Sequence, residues 1–270
     1  MPLPTSTELL DHQIAGHRHG EGKHKLGMLR HKDGSILKPL VPNDARAGRE
    51  HEFYLMLERH REMCSSRDSC DDPILHQLVD FTPRYLGVFE GELDQGRSIS
   101  YMKLEDLCGG FKQPCIADIK IGRIIHDPLA SKEKIEISKK RYPPQLTIGY
   151  RLLGMRVVER GRCHVYSAEF GLEQTEKSIP EAIKTFVAAN VDCVPAIVEE
   201  LRKILQWFKS QERFTFYSSS ILFVYDAVEL KTTVKLIDFA HVFPATGADE
   251  NYIYGLEKLL DHFCMAMDKL

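Results

Sequence analysis

Pro114-Cys115-Ile116-Ala117-Asp118-Ile119-Lys120-Ile121-Gly122 is an apolar run closed by glycine, the pattern of a buried strand leading into a turn. Side chains alternate faces along a strand, so Asp118 and Lys120 point to the same side. A carboxylate and an ammonium thus share one face, and Gly122 lets the chain turn at its end. The next stretch of chain is basic. From Lys120 to Arg141 there are seven Lys and Arg against three acidic residues, a local excess of four in a chain of net charge −3. A charge pair running into a basic stretch points to chemistry on a strongly anionic substrate.

The rest of the composition sets bounds. With 270 residues and 43% hydrophobic content the chain can bury a full core, as one large domain or two lobes. The longest apolar runs, near Ile221–Tyr225, are strand-sized, so no membrane span is expected. Met1 to Asp11 lacks the basic-then-apolar pattern of a secretory signal. The seven cysteines are an odd number with no CxxC pair, which favours neither a disulfide framework nor a zinc site. A reducing compartment, cytoplasm or nucleus, fits that usage. Cys64 and Cys70 share a polar loop, and pairing between them is the minor reading. His12, His17, His19 and His24 are irregularly spaced without a Cys or acid cluster joining them, so a solvated segment is preferred to a metal site. The overall charge argues against nucleic-acid binding, which goes with a dominant basic excess.

Along the chain, short apolar runs at 26–29 and 35–40 flank Asp33-Gly34, a hairpin signal. Lys38 lies on the second run, where a snorkelling edge-strand lysine is the plain alternative. Asn43 or Asp44 caps a helix to about Met63, with Phe53, Met56, Leu57 and His60 on one face and Glu50 in its first turns. Cys64–Asp72 reads as loop and Pro73–Val79 as helix. Tyr85–Glu90 and Ser98–Leu104 read as strands joined at Asp94-Gln95-Gly96. The acidic segment Glu105-Asp106-Leu107 runs into Gly109-Gly110 as a hinge. Residues 1–108 therefore form an N-lobe and 109–270 a C-lobe, with a basic segment at 123–145 in which Leu129–Tyr142 is helical in composition and ended by Pro143-Pro144. Tyr150–Val158 and Cys163–Phe170 form a hairpin around Arg160-Gly161. Ser178-Ile179-Pro180-Glu181 has the form of a capping box. A long helix after Asp192 carries Val194, Ile197, Val198, Leu201, Ile204, Leu205 and Phe208 on one stripe, and the final helix runs from Asp249 to about Met267. Strands at 219–225 and 234–239 complete an α+β pattern.

Phosphoryl transfer needs a lysine on nucleotide phosphates, acids on Mg²⁺, and positive groups over the transferred charge. Lys38, Glu50, Glu105–Leu107, Asp118, Lys120 and Asp238 occur in a kinase-like order. Asp238 closes an apolar strand, a position that suits a hard cation, although an Asp there is more often a turn or cap. Neither a G-x-x-x-x-G-K-[ST] loop nor an H-R-D loop is present, which excludes P-loop enzymes and ordinary protein kinases.

Pro114-x-x-x-Asp118-x-Lys120-x-Gly122, Ser219-Ser220-Ile221-Leu222 and Ile237-Asp238-Phe239 together resemble the ordered motifs of the inositol polyphosphate kinase family. Asp127-Pro128-Leu129-Ala130-Ser131, Ile204-Leu205-Gln206-Trp207-Phe208 and Ala240-His241-Val242-Phe243-Pro244 are similar to its multikinase branch, as is His12-Gln13-Ile14-Ala15-Gly16-His17. The resemblance implies a two-lobed fold related to protein kinases, with an ATP cleft between an antiparallel-sheet N-lobe and a mixed C-lobe in which 123–145 binds substrate. It implies nucleotide binding by Lys38, by Glu105, Asp106 and Leu107 at the hinge, and by Asp118 and Asp238. Mg²⁺ would be held by Asp238 with Ser220. Arg46, Lys120, Lys134, Arg141 and His241 would bind inositol phosphates, with Asp118 and Lys120 catalytic. Lys134 and Arg141 are seven residues apart, two turns along one helix face, where a solvated basic face is the plain alternative.

The sequence departs from the family at Glu136-Ile137-Ser138, at Arg141 where multikinases tend to carry Lys, and at Gly171-Leu172. Ala227–Thr233 is a tight connection where some animal multikinases carry a long insertion. The implied activity is phosphorylation of inositol tris- and tetrakisphosphate toward the pentakisphosphate by a monomer, with a phosphoinositide head group as a further substrate. A hexakisphosphate kinase, a trisphosphate 3-kinase and a non-catalytic inositol-phosphate scaffold are the alternatives.

Overall fold

The computed structural model describes residues 3–16, 19–20, 26–64, 70–93 and 97–268. His17, His24 and the turn expected at Asp94-Gln95-Gly96 lie outside them. The chain falls into two compact units, Met1–Gly109 and Gly110–Leu270.

The first unit contains β1 (Thr7–Leu9), β2 (Leu29–His31), β3 (Ile36–Pro39), α1 (Ala45–Met63), α2 (Pro73–Asp80), β4 (Tyr85–Leu93) and β5 (Arg97–Leu104). The strands form one antiparallel sheet in the order β1-β2-β3-β5-β4. Asp33-Gly34 makes the expected turn between β2 and β3, with Ser35 N donating to Asp33 Oδ1 at 3.0 Å. Because β3 is bonded to β2 on one side and β5 on the other, Lys38 is not on an edge strand. Leu29, Leu37, Ile99 and Tyr101 fill the core of the sheet. Asp44 caps α1 by accepting from Arg46 N. The buried face of α1 is Glu50, Phe53, Tyr54, Leu57 and His60, so Tyr54 takes the place expected for Met56. Asp72 caps α2. The end of α1 and the start of α2 bring the Cα atoms of Cys64 and Cys70 to 5.7 Å, and the two are joined as a disulfide. The pairing that composition disfavoured is thus present, because two capped helix ends bring the residues together.

The second unit contains β6 (Pro114–Ile121), α3 (Lys132–Arg141), α4 (Gln145–Ile148), β7 (Tyr150–Glu159), β8 (Arg162–Tyr166), α5 (Ala168–Leu172), α6 (Ile179–Val187), α7 (Val194–Ser210), β9 (Phe214–Phe216), β10 (Ser220–Asp226), β11 (Thr232–Ile237), β12 (Val242–Pro244) and α8 (Glu250–Asp268). Its main sheet is antiparallel in the order β11-β10-β6-β7-β8, which puts the Pro114–Gly122 motif on the central strand. The expected apolar stripe of α7 is buried throughout, and Trp207 with it. Phe208 stacks on Tyr252 of α8 with ring centroids 4.2 Å apart.

Three local expectations change. The strand expected over Cys163–Phe170 runs from Arg162 to Tyr166, and residues 168–172 form α5 instead. Its Gly171 lies so close to β7 that a Cβ there would sit 2.0 Å from the Leu152 carbonyl oxygen. Ser178 does not cap α6, because its hydroxyl accepts from Thr175 N and donates to Gln174 Oε1 in the preceding turn. A small sheet of β9 and β12, invisible as a periodicity because each strand has three residues, pairs Val242 with Phe216.

Candidate active site

Strand β6 is buried along its whole length except at Lys120, which is half-buried. Across the sheet Lys120 is in register with Ser220 on β10 and Arg151 on β7. A bulge in the β6–β7 pairing falls between Asp118 and Ile119, beside the charge pair. Asp118 is 6% exposed. Burial pushes the Lys120 ammonium below the usual lysine pKa, Asp238 and Asp118 pull it back up, and Arg151 and Arg141 lower it. One amine therefore lies in the field of two carboxylates and two guanidiniums, drawn from β6, β7, α3 and the segment after β11.

The backbone around this amine is unusual. Lys120 Nζ donates to Ser218 Oγ at 3.0 Å. Ser218 has φ 56° and Asp238 φ 65°, two non-glycine residues in the left-handed region. Such conformations cost about 1–3 kcal/mol each and gather at functional sites. For Asp238 the kink follows from the end of β11 at Ile237, whose carbonyl accepts from Ser219 Oγ at 2.9 Å. Ser220 Oγ is buried with no hydrogen-bond partner among the described residues. A buried hydroxyl without a partner and a carboxylate held in a strained turn are oxygen donors of the kind a hard divalent cation takes.

His241 is held by Asp127. The two side chains are hydrogen-bonded through Nδ1 and Oδ2, while Asp127 Oδ1 accepts from Leu129 N at 2.8 Å. Asp127 is 7% exposed. With the carboxylate on Nδ1, the other ring nitrogen, Nε2, is the one left to meet a ligand. The small β9–β12 sheet sets the histidine's position, since Tyr217 N donates to the His241 carbonyl at 3.0 Å. Lys134 and Arg141 lie exposed on α3, and Arg141 is close enough to Lys120 and Arg151 to affect both.

Three residues of this cluster are not singled out by the sequence. Arg151 is 5% exposed, with Nη1 buried and unpartnered among the described residues and its guanidinium 6.0 Å from the Tyr142 ring centroid. Burial and nearby Arg141 push its pKa down. A cation inside the apolar run 150–158 was the available signal. Asp127 stands out in the sequence only as part of a motif, and Ser218 carries no signal at all.

In the first unit, Lys38 Nζ meets Glu50 Oε1 at 2.7 Å, and Glu50 is 4% exposed. A carboxylate so buried holds the ammonium in one place. Arg46 is engaged by Asp44 through two hydrogen bonds, at 3.0 and 2.7 Å. Arg84 N donates to Glu105 Oε2 at 3.1 Å and Cys108 N to Asp106 Oδ1 at 2.9 Å, so these two side chains hold the segment 105–109 in shape. Leu107 is buried.

The inositol polyphosphate kinase family model matches residues 101–264. Human inositol polyphosphate multikinase is 38% identical over 235 residues, which cover 85% of this chain and 53% of the human protein. The chain thus spans about half the length of that relative. Rice inositol polyphosphate multikinase IPK2 is 28% identical over 278 residues, covering 93% of this chain and 91% of its own. Among solved structures, the inositol phosphate multikinase Ipk2 of S. cerevisiae, in complex with ADP and Mn²⁺, superposes with a TM-score of 0.66 at 25% identity and covers 86% of this chain and 98% of its own.

Proposed function

We propose that this chain, which belongs to the inositol polyphosphate kinase family, transfers a phosphoryl group from ATP to hydroxyls of inositol tris- and tetrakisphosphate, toward the pentakisphosphate. The observation that carries the reading is Lys120, a half-buried amine among Asp118, Asp238, Arg141 and Arg151 at the end of a central strand. That arrangement suits a site where negative charge builds up and moves. ATP supplies the phosphoryl group, and Mg²⁺ offsets its charge when bound.

The chain's own groups take these roles. Lys38, held by Glu50, binds nucleotide phosphates, and the backbone of 105–107 meets adenine. Asp238 and Ser220 offer oxygens to the metal. Asp118 holds the nucleotide or the reacting hydroxyl's proton. Lys120 neutralises the transferred group. Arg141, Lys134 and Arg151 bind the substrate's phosphates through charge-assisted hydrogen bonds, stronger than neutral ones. Arg46, in the first unit, takes a substrate phosphate in exchange for Asp44, the role the family resemblance implies. His241 donates or accepts at the inositol ring. Asp127→Asn is expected to lower kcat/KM about tenfold, the worth of one oriented hydrogen bond of about 1.4 kcal/mol. Steady-state kinetics with ¹⁵N spectra of His241 check it, the spectra reporting a changed tautomer mixture.

The deciding experiment is ATP consumption with product mapping over inositol tris-, tetrakis- and hexakisphosphate. Pentakisphosphate formation from the first two is the expected result. A dominant pyrophosphate product moves the chain to the hexakisphosphate kinases, and tight binding without turnover makes it a scaffold. Leu129 and Ile137 are exposed beside the basic residues of α3, at 71% and 58%. Apolar side chains next to cations suit a membrane surface, which favours a phosphoinositide head group as a further substrate. The same assay on phosphoinositide vesicles tests it.

A further inference from the structure

We propose that His60, Cys64, Cys70 and His76 form a tetrahedral site for a divalent transition metal, zinc by its donor set, that ties α1 to α2. Each residue offers one ligand atom, and the four atoms all lie within 4.8 Å of one another. A tetrahedral zinc, with bonds of about 2.3 Å to sulfur and about 2.0–2.1 Å to nitrogen, needs ligand atoms roughly 3.3–3.8 Å apart. Cys70 Sγ and His60 Nε2 already stand at 3.4 Å.

The local structure explains the convergence. His60 and Cys64 are four residues apart at the C-terminal end of α1, on one helix face. Cys70 lies two residues before Asp72, the cap of α2, and His76 is in the first turns of that helix. His60 is 8% exposed, and the two imidazoles meet edge-on with centroids 6.1 Å apart. His76 Nδ1 is buried with no hydrogen-bond partner among the described residues. A buried polar atom without a partner costs about 1–3 kcal/mol, which a metal bond removes. A disulfide by itself leaves that nitrogen unsatisfied.

The Cys64–Cys70 disulfide is the oxidised form of the same two ligands. A dithiol reductant delivers two electrons and two protons to the S–S bond, giving two thiols. The metal then displaces both thiol protons, and two thiolates with two neutral imidazoles fill four positions. Two sulfurs and two nitrogens in a tetrahedron select zinc over hard cations. All four positions are taken by protein, so the site is structural and not catalytic. It stands apart from the phosphoryl-transfer reading: the ligands of one are not residues of the other.

The test is a Co²⁺ titration of the full chain, reduced with a dithiol and stripped of metal. The expected result is one cobalt per chain with the sulfur-to-metal charge-transfer absorption of tetrahedral thiolate coordination, displaced by one equivalent of Zn²⁺. Cys70→Ser and His76→Ala should lose that absorption or the one-to-one stoichiometry. The reduced protein's unfolding midpoint should rise with Zn²⁺ and fall with a chelator. A reduced wild type that takes up no cobalt, or shows no thiolate charge transfer, overturns the proposal. So does uptake that persists unchanged in both variants. If a variant fails to fold, the wild-type spectrum alone decides.

Discussion

Lys120→Met is expected to lower kcat/KM for inositol trisphosphate by about 10²–10³-fold, the usual cost of removing one preorganised charge from a transition state. Methionine keeps the apolar stem and fills the volume, so the far-ultraviolet circular dichroism should match wild type. The loss should fall on kcat as well as KM, because the role proposed for the amine is against charge that develops during transfer. A variant within about threefold of wild-type kcat/KM, less than about 1 kcal/mol, would remove Lys120 from the reaction.

The same amine should set a pH limit on activity. Burial holds the Lys120 pKa below its ordinary value, so activity needing the ammonium is present at low pH and lost as pH rises through the lowered pKa. The groups facing it are Asp118, Asp238, Arg151 and Arg141, with the Ser218 hydroxyl on Nζ. Asp118 and Asp238 raise the pKa. Asp118→Asn removes one of them and should move the alkaline limb of the remaining activity to lower pH. Arg151→Leu removes an opposing cation and should move it to higher pH. A pH–rate profile for each variant distinguishes the two directions.

Gly122→Ala should lower the unfolding midpoint by about 6–12 °C, from a total of about 3 kcal/mol at roughly 2–4 °C per kcal/mol. Gly122 has φ 107°, and a Cβ there would meet Asn251 Nδ2 at 2.7 Å. That amide is not free to swing aside: Asn251 Oδ1 accepts from Ile124 N at 2.8 Å and Nδ2 donates to the Ile124 carbonyl at 2.9 Å. The left-handed backbone costs about 1–3 kcal/mol and each displaced hydrogen bond about 1 kcal/mol. Gly122 N also donates to the Gly149 carbonyl at 2.8 Å, and Gln145 Nε2 donates to the Gly122 carbonyl at 2.6 Å. Moving this turn moves the end of β6, two residues from Lys120, so activity should fall with stability. A double-mutant cycle with Asn251→Ala isolates the clash: strictly additive losses would mean that Asn251 is not what the new methyl meets.

Much of the second unit was legible because its signals are local. The apolar run 114–122 predicts β6 and the i, i+2 placement of its charges, and the stripe from Val194 to Phe208 predicts α7. In the first unit, Asp33-Gly34 predicts a turn that needs no distant partner. Failures came where a local pattern met a competitor. Ser178 found partners in the preceding turn, and the run after Tyr166 formed α5 against β7.

The site divides along the same line. Residue order alone determined that Asp118 and Lys120 share a strand face and that Lys38 precedes a helix carrying Glu50, since periodicity and turn chemistry act over a few residues; Asp238, expected within the strand 234–239, stands just past its end at Ile237. Only the tertiary structure decided that Asp127 holds His241 across 114 residues, that β7 lays Arg151 beside Lys120, and that two helix ends bring His60, Cys64, Cys70 and His76 together. Those pairings depend on strand register and helix packing, which sum contacts over the whole chain and leave no mark on any short stretch of it.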